Sequence, residues 1–506
     1  MGESHKIAAL VLNSVSHDIR VCKEADGLAR AGFEVTILGI RDRRDRKPIS
    51  LRESGVRIIR ADPAGWEMYE RYRGRMYSSL FAAGSFLLIG VLSVVRPTGL
   101  AVDDLILRAV DAIGVIGLFA LLASPVAAIW YFRRSFRYWR FARNKAEMLG
   151  GGGHEGAASI FAGPRILLRR CSSFARGFVI LFRTVRRSAR MQRHLHAELD
   201  RLKPRFVHCH DLPTLPIGDA WCRRHPGVAL VFDSHELFEE VAGLHPVLRW
   251  YWRRVLRRQA PRVDGFVTVN QSIAEEHRRR YPALPRAVVV RNAALLLERI
   301  PRDDGRLRKA AGLDGCSRIL LYQGGFAKER GLENLVRASG DLPSGWVLVM
   351  MGWGNLENHL RQIAADVDPD GDRIHFIAPA PQSELRIWTA GADLGVIPYE
   401  NTCLNHWFCS PNKLWEYAAA GVPILASPFP EMQREILDWG IGRLLPERLL
   451  GGDLATLLES IDAHEVSRMA SACADFMRAD HWEVYQERLD DLYRGLASSS
   501  ADGRVD

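Results

Sequence analysis

The sequence predicts an α/β protein made of two doubly wound halves. Three observations carry that expectation. Short apolar, β-type runs alternate with helical patterns through most of the 506 residues. The alternation pauses and restarts around residues 292–302, and a chain of this length exceeds one compact core. The loops that follow the apolar runs carry glycines and polar residues, as expected at the ligand-binding edge of a parallel sheet.

The first half opens with an apolar run at residues 6–12 and a polar loop from Asn13 to Asp18. A helical pattern covers 19–31 and stops at Gly32, and a second strand covers 34–40. Strands resume at 205–209, 229–233 and 265–269, then in the second half at 318–322, 346–351, 373–377, 394–397 and 422–426. These are two Rossmann-like domains, residues 1–290 and 291–478, facing a cleft. A helical segment follows at 479–496, and a small, polar tail at 497–506 is expected to be disordered.

A hydrophobic insert at about 70–145 interrupts the first domain. Residues 77–95 and 112–132 are uncharged apolar runs of 19 and 21 residues. As helices they would measure roughly 28 and 31 Å, close to the thickness of a bilayer core. Arg71, Arg73 and Arg75 precede the first run, and Arg133, Arg134, Arg137 and Arg140 follow the second. That charge pattern puts both ends of a helical hairpin, 77–132, on the cytoplasmic side. A buried helical pair in an inserted subdomain is the other reading. A glycine-rich linker leads to a basic amphipathic helix at about 164–196, where Leu167, Cys171, Phe174, Phe178, Leu181 and Val185 form an apolar seam beside arginines. Such a helix suits a membrane surface, or packs on the sheet with a solvated Arg face.

Composition narrows the partners. Lys plus Arg number 69 against 59 Asp plus Glu, a net charge of +10. The surplus is mostly arginine and points to an anionic partner, either a phosphorylated ligand or anionic lipid. No nucleic-acid-binding module is recognisable. The eight cysteines form no CxxC pair, so neither a zinc site nor a disulfide framework is indicated, and reduced thiols in the cytosol are expected. The N-terminus runs directly into a strand without the apolar stretch of a signal peptide.

The richest segment is SPNKLWEYAAAGVPILAS, residues 410–427. Ser410 and Pro411 read as a helix entry, and Gly421 as the stop before a strand. The free amides and positive dipole end at Ser410, Asn412 and Lys413 form a seat for phosphate. Glu416, one turn further on, is placed to accept two ribose hydroxyls. Upstream, LLYQGGFAKERGLENLV (residues 320–336) puts Gly324 and Gly325 in a turn after a strand, with Lys328 and Arg330 in the basic loop. In the first half, VHCHDLPTLPIG and VFDSHELFEE follow strands and bring His210, Asp211, His235 and Glu236 to one rim. Asp18 and Arg20 join them from the first loop.

Residues 410–427 resemble the donor-binding signature of retaining, nucleotide-sugar-dependent glycosyltransferases of the GT-B fold, family 4 type, in a PNKL-type branch. HDLPTLPIG, DSHELF, SHDIRV, TVNQSIAEEH and VVRNA look like loops of the same branch. The resemblance covers residues 6–40 and 189–496 and leaves the insert outside. It implies a GT-B enzyme that moves a sugar from a nucleotide-diphosphate sugar, with retention and without a bound metal or other cofactor. His210 takes the position of the family's active-site histidine. Asp18, Arg20, Asp211, His235, Glu236 and Asn292 are expected near sugar or acceptor. Arg330 takes the place of the family's lysine on the diphosphate. Residues 481–496 resemble the helix that crosses back to the first domain. Two departures stand out. Gly325 occupies the position of an arginine, where Lys328 could supply charge. Phe408 replaces the first carboxylate of a Glu-x7-Glu pair whose second member is Glu416; Asn405, His406, Cys409 and Ser410 are candidates for its contacts. The expected partners are the nucleotide sugar, a lipid-linked or glycan acceptor and the cytoplasmic face of the membrane. A non-catalytic scaffold and a nucleotide-sugar epimerase share the architecture and are the competing readings.

DVDPDGD (residues 366–372) imitates the start of a calcium loop, but Ile377 stands where its last ligand would be, so a surface turn is expected.

Overall fold

The computed structural model describes residues 5–15, 18–41, 47–61, 154–296 and 299–502, with backbone alone for 154–175 and 499–502. Packing divides the chain into two units. One comprises 1–61, 192–244 and 252–506 and holds both sheets; the other comprises 62–191 and 245–251. The predicted hairpin at 77–132 lies outside the described residues.

The first sheet has eight strands: β1 (Lys6–Leu10), β2 (Glu34–Ile40), β3 (Ile49–Leu51), β4 (Arg57–Ala61), β5 (Phe206–His210), β6 (Ala229–Ser234), β7 (Gly265–Thr268) and β8 (Ala287–Val289). Their order is β3-β4-β2-β1-β5-β6-β7-β8, and every pair except β3–β4 is parallel. The second sheet is wholly parallel: β9 (Arg318–Gly325), β10 (Trp346–Trp353), β11 (Ile374–Ile377), β12 (Leu394–Ile397), β13 (Ile424–Ala426) and β14 (Gly442–Leu444), in the order β11-β10-β9-β12-β13-β14. In each sheet the chain reverses its direction of growth beside its first strand, between β1 and β5 and between β9 and β12. Those switch points are where a doubly wound sheet opens a ligand site at its carboxyl edge.

The helices that place the site are α1 (Ile19–Arg30), α2 (His154–Leu202), α3 (Gln271–Arg280), α4 (Leu332–Ala338), α5 (Asn412–Ala419), α6 (Pro430–Trp439), α7 (Ala463–Ala479) and α8 (Trp482–Asp502). Asp18 caps α1 by accepting from Val21 N at 3.2 Å, and Gly32, at φ 98°, turns the chain out of it. Buried aliphatic strand residues such as Ile7, Ile37, Val231, Ile319 and Val349 belong to one core cluster that continues into α8 through Trp482, Leu489 and Tyr493. A second cluster covers the opposite face of the second sheet, from Leu320 and Leu348 to Leu458.

Three expectations need correction. Ser410 does not cap α5: the helix begins at Asn412 with Pro411 as its cap, and the Ser410 hydroxyl accepts a 2.9 Å hydrogen bond from Asn270 Nδ2. A long-range partner has taken the oxygen that local pattern assigned to the helix. The tail does not begin at 497, because α8 continues to Asp502, and Arg205 Nη2 donates to Ala497 O. The basic helix is longer than 164–196, running through 154–202. The calcium-like segment is a turn, as expected: Asp368 Oδ2 accepts from the backbone N–H groups of Arg373 and Ile374 at 3.0 and 2.9 Å. Helix α8 packs on the first domain, with Tyr493 against Phe206 and its Oη 2.7 Å from His208 Nδ1, while at its start Trp482 N donates to Ala294 O, just past the domain boundary, at 2.9 Å.

Candidate active site

In the second domain, β9 ends in the Gly324–Gly325 turn. Gly324 has φ 118°, and a Cβ there would lie 3.1 Å from Lys413 Cε, so glycine lets the lysine pass over the turn. Gly331 has φ 68° and a Cβ there would overlap Pro398 O, which fixes the start of α4 and the position of Arg330 beside it. Arg330 Nη1 donates to Tyr399 Oη at 2.7 Å, and Lys413 Nζ to the same oxygen at 3.3 Å. Lys413 is buried, and burial holds its ammonium below the ordinary lysine range. Among the described residues neither cation forms an ion pair with a carboxylate. Glu416, on α5, accepts from Gln323 Nε2 at 2.9 Å, and Gln323 Oε1 accepts in turn from Thr389 Oγ1 at 2.7 Å. The carboxylate is thereby oriented at the end of β9. Asn412 and Lys328 are exposed, and Gly325 has open space, its ideal Cβ meeting only Trp353 O at 3.9 Å.

In the first domain, His210 closes β5 and pairs in register with Asp233 on β6. His210 Nδ1 lies 3.2 Å from Asp233 Oδ2 and 3.1 Å from His235 Nε2. Burial, reinforced by the neighbouring His208, lowers the His210 pKa to about 3, so its imidazole is neutral. Burial also opposes charge on His235, but the carboxylates of Asp211 and Asp233 outweigh it and raise its pKa to about 10. Asp233 is held well below the usual carboxylate range: burial works against its charge, and Arg20 and the histidines overcome that. Arg20 donates to Asp233 Oδ1 at 3.1 Å, to Val290 O at 2.7 Å and to Asn292 Oδ1 at 3.2 Å. Asp211 sits at φ 63°, accepts from His235 N at 3.3 Å and approaches His235 Nδ1 at 3.6 Å. Asp18 is turned to its capping role.

The two clusters meet through the segment around Phe408. Asn405 Nδ2 donates to Glu236 Oε2 at 3.0 Å and its Oδ1 accepts from Leu237 N at 2.9 Å. Asn270 Nδ2 donates to Phe408 O at 2.7 Å as well as to Ser410. Phe408 packs beside Leu237, Val269 and Ile273. The position that lacks a carboxylate is thus an apolar contact between domains, and Asn405 and Ser410 are engaged by the first domain. His406 Nδ1 lies 3.0 Å from Thr402 Oγ1.

Sequence reading put Asp18, Arg20, His210, Asp211, His235 and Glu236 on one rim, with Asn292 added by the resemblance, and Glu416, Arg330, Lys413 and Gly324 on another. The structure gathers His210, Asp211, His235, Arg20 and Asn292, turns Asp18 to its helix and Glu236 to Asn405, and assembles the second group. Sequence reading missed Asp233, Gln323, Tyr399 and Asn270. Asp233 could have been found as a carboxylate at the end of an apolar strand, a position that demands a charged partner. Among the described residues one group of histidines and carboxylates could hold a metal, formed by Glu24, His208, His210 and Asp233.

Two parallel-sheet domains meeting at their carboxyl edges, with the site elements just described, define a GT-B protein. Residues 128–294 match the family model described as Glycosyltransferase Family 4, and residues 317–461 match Glycosyl transferases group 1. The two matches, one in each domain, support a GT-B glycosyltransferase of the family 4 type. A D-inositol 3-phosphate glycosyltransferase of Streptosporangium roseum is 27% identical over 251 residues, which are 47% of this chain and 56% of that protein. The chain therefore matches about half the length of that relative. A sucrose-phosphate synthase from Thermosynechococcus elongatus superposes with a TM-score of 0.60 at 16% identity, covering 98% of this chain and 100% of the other. A trehalose 6-phosphate synthase from Burkholderia multivorans gives 0.56 at 13% identity with 98% and 100% coverage. These likenesses concern the fold.

Proposed function

We propose that the protein transfers a sugar from a nucleotide-diphosphate sugar to a membrane-linked or polysaccharide acceptor, with retention of anomeric configuration. One observation carries the reading: Arg330 and Lys413 converge beside the Gly324 turn with no carboxylate partner, one helical turn from the oriented Glu416. Two cations left without counter-charge favour a bound dianion, and a diphosphate supplies one. In the proposed complex Glu416 holds the ribose. Arg330, Lys413, Lys328 and the amides at Ser410–Asn412 take the diphosphate. Negative charge grows there as the glycosidic bond breaks, so these contacts strengthen in the transition state and need no metal at the phosphates. His210, neutral and anchored by Asp233, faces the sugar from the first domain with a ring nitrogen for a hydroxyl.

The acceptor arrives at the cytoplasmic face of the membrane in this reading. The apolar runs at 77–95 and 112–132 motivate it, as do the exposed Val179, Ile180, Phe182 and Val185 on the arginine-rich α2. Among the described residues no helix is long and apolar enough to cross a membrane.

The deciding experiment is a panel of nucleotide sugars screened for thermal stabilisation, followed by transfer assays. The acceptors should include a polyprenyl-linked sugar and an inositol phosphate, the latter because of the relative's name. The expected result is stabilisation by one nucleotide sugar, transfer of its sugar, and loss of transfer in H210A. Stabilisation without transfer or hydrolysis would favour a scaffold, and conversion of the free donor into its epimer would favour an epimerase.

A further inference from the structure

Beside the imidazole of His210 lies a set of side chains that sugar transfer leaves unexplained. Glu24 comes from the middle of α1, His208 and His210 from the same face of β5, and Asp233 from the adjacent strand β6. Their exposures are 1%, 1%, 2% and 0%. One ligand-type atom from each lies within 4.8 Å of all the others.

We propose that this cluster binds a single divalent transition-metal ion, with zinc the best fit, through Glu24, His208, His210 and Asp233. Spacing is the first argument. Tetrahedral zinc with nitrogen and oxygen ligands at about 2.0–2.2 Å sets its ligand atoms roughly 3.4 Å apart. Here His210 Nδ1 is 3.2 Å from Asp233 Oδ2, His208 Nε2 is 3.7 Å from the same oxygen, and His208 Nε2 is 3.9 Å from Glu24 Oε2.

Unmet bonding capacity is the second argument. His208 Nε2 and both Glu24 oxygens are buried without a hydrogen-bond partner. Arg20 Nε lies 2.9 Å from Glu24 Oε1, yet neither Glu24 oxygen receives an aligned hydrogen bond. Buried polar atoms are rarely left in this state.

The surrounding contacts are the third argument. Tyr493 Oη lies 2.7 Å from His208 Nδ1, which turns Nε2 inward, and Arg20 and His235 hold Asp233, with Arg20 at Oδ1 (3.1 Å) and His235 Nε2 at Oδ2 (2.9 Å), so that Oδ2 is fixed beside His208 and His210. Metal-binding histidines and carboxylates are oriented by outer hydrogen bonds of this kind. Because Arg20 and His235 are themselves cations beside Asp233, both carboxylates are needed to hold a further one, so neutralising Glu24 should release the ion. A mixed nitrogen and oxygen set favours zinc over calcium or magnesium, which prefer all-oxygen cages. The ion sits away from the diphosphate and steadies the His210 ring rather than entering the transfer step.

The test uses the full, untagged chain, exposed to zinc and then desalted, with metal content read by mass spectrometry. About one zinc per chain is expected, falling to a tenth or less in both E24Q and H208Q. A cobalt-loaded wild-type sample should show the intense visible bands of tetrahedral coordination, and this readout does not depend on any variant folding. Failure of the wild-type chain to retain zinc, a wild-type cobalt sample without those bands, or equal retention by folded E24Q and H208Q would each overturn the assignment.

Discussion

Arg330 and Lys413 reach the same phenol oxygen, that of Tyr399, at 2.7 and 3.3 Å. One comes from the loop after β9 and the other from the first turn of α5, so the contact fixes two cations that the sequence separates by 83 positions (413 minus 330). The phenol orients both without neutralising either. A fold optimised only for stability would not bring two such groups together. The arrangement is reasonable where an anion completes it.

Replacing either cation should therefore affect binding and stability in opposite ways. R330Q and K413M are each expected to weaken the donor at least about tenfold, a loss of about 1.4 kcal/mol in binding. The ligand-free melting temperature should stay level or rise, because a like-charge contact is relieved. Calorimetry with the stabilising nucleotide sugar and thermal melts of the free variants check both halves. A variant that melts lower and binds as before would show the pair to be structural.

Glu416 is held by Gln323, which Thr389 holds in turn. E416A should raise the donor's dissociation constant at least about tenfold. The same substitution should matter far less for free pyrophosphate, which has no ribose. Equal losses for the two ligands would remove the ribose role and leave Glu416 a part of the phosphate site.

Phe408 invites a misleading repair. Restoring the family's carboxylate with F408E looks like a gain of function on sequence alone. In the structure this ring packs with Leu237, Val269 and Ile273 where the domains meet. A glutamate there would be desolvated among apolar side chains, at a cost of about 1–3 kcal/mol. F408E should melt lower and transfer no faster, whereas F408L should remain close to wild type. Faster transfer by F408E would show that the side chain reaches the donor.

How much was legible in the sequence follows from how local each signal is. The buried parallel strands announce themselves as continuous aliphatic runs, so β1, β2, β5 to β7 and β9 to β13 were foreseen within a few residues. Strands β3, β4, β8 and β14 were not. They are three to five residues long, and Ile49 and Leu51 in β3 are 59% and 73% exposed, so little apolar pattern marks them. The site's edges were legible because loops after parallel strands share one side of a sheet. Its partners were not: Arg20 and Asp233 are 213 positions apart, and nothing near either names the other. Ser410 shows the same limit, since a sound local reading as a cap lost to an asparagine 140 positions away.

His277, on α3, gives a pH prediction independent of the active site. Its Nε2 lies 3.0 Å from Ser234 Oγ, its other ring nitrogen has no hydrogen-bond partner, and Phe266 meets it edge-on at 5.2 Å. Burial, aided by the Arg280 charge, lowers its pKa to about 3. The unfolded chain protonates this imidazole near its ordinary value of about 6.5, while the folded chain does not until far lower pH. Stability is therefore complete above about pH 6.5 and is lost as pH falls through the window down to about 3, by about 1.4 kcal/mol per pH unit from this group. Between pH 7 and pH 5 that amounts to about 2 kcal/mol. H277Q keeps a polar atom for Ser234 and removes the titration. Its stability at pH 7 should be somewhat lower than wild type, but its unfolding free energy should fall less steeply between pH 6.5 and 5, by about one proton's worth of slope. Denaturant titrations of both proteins at several pH values measure that difference directly, and parallel slopes would mean that His277 is already protonated in the folded protein at neutral pH or becomes so as readily as in the unfolded chain.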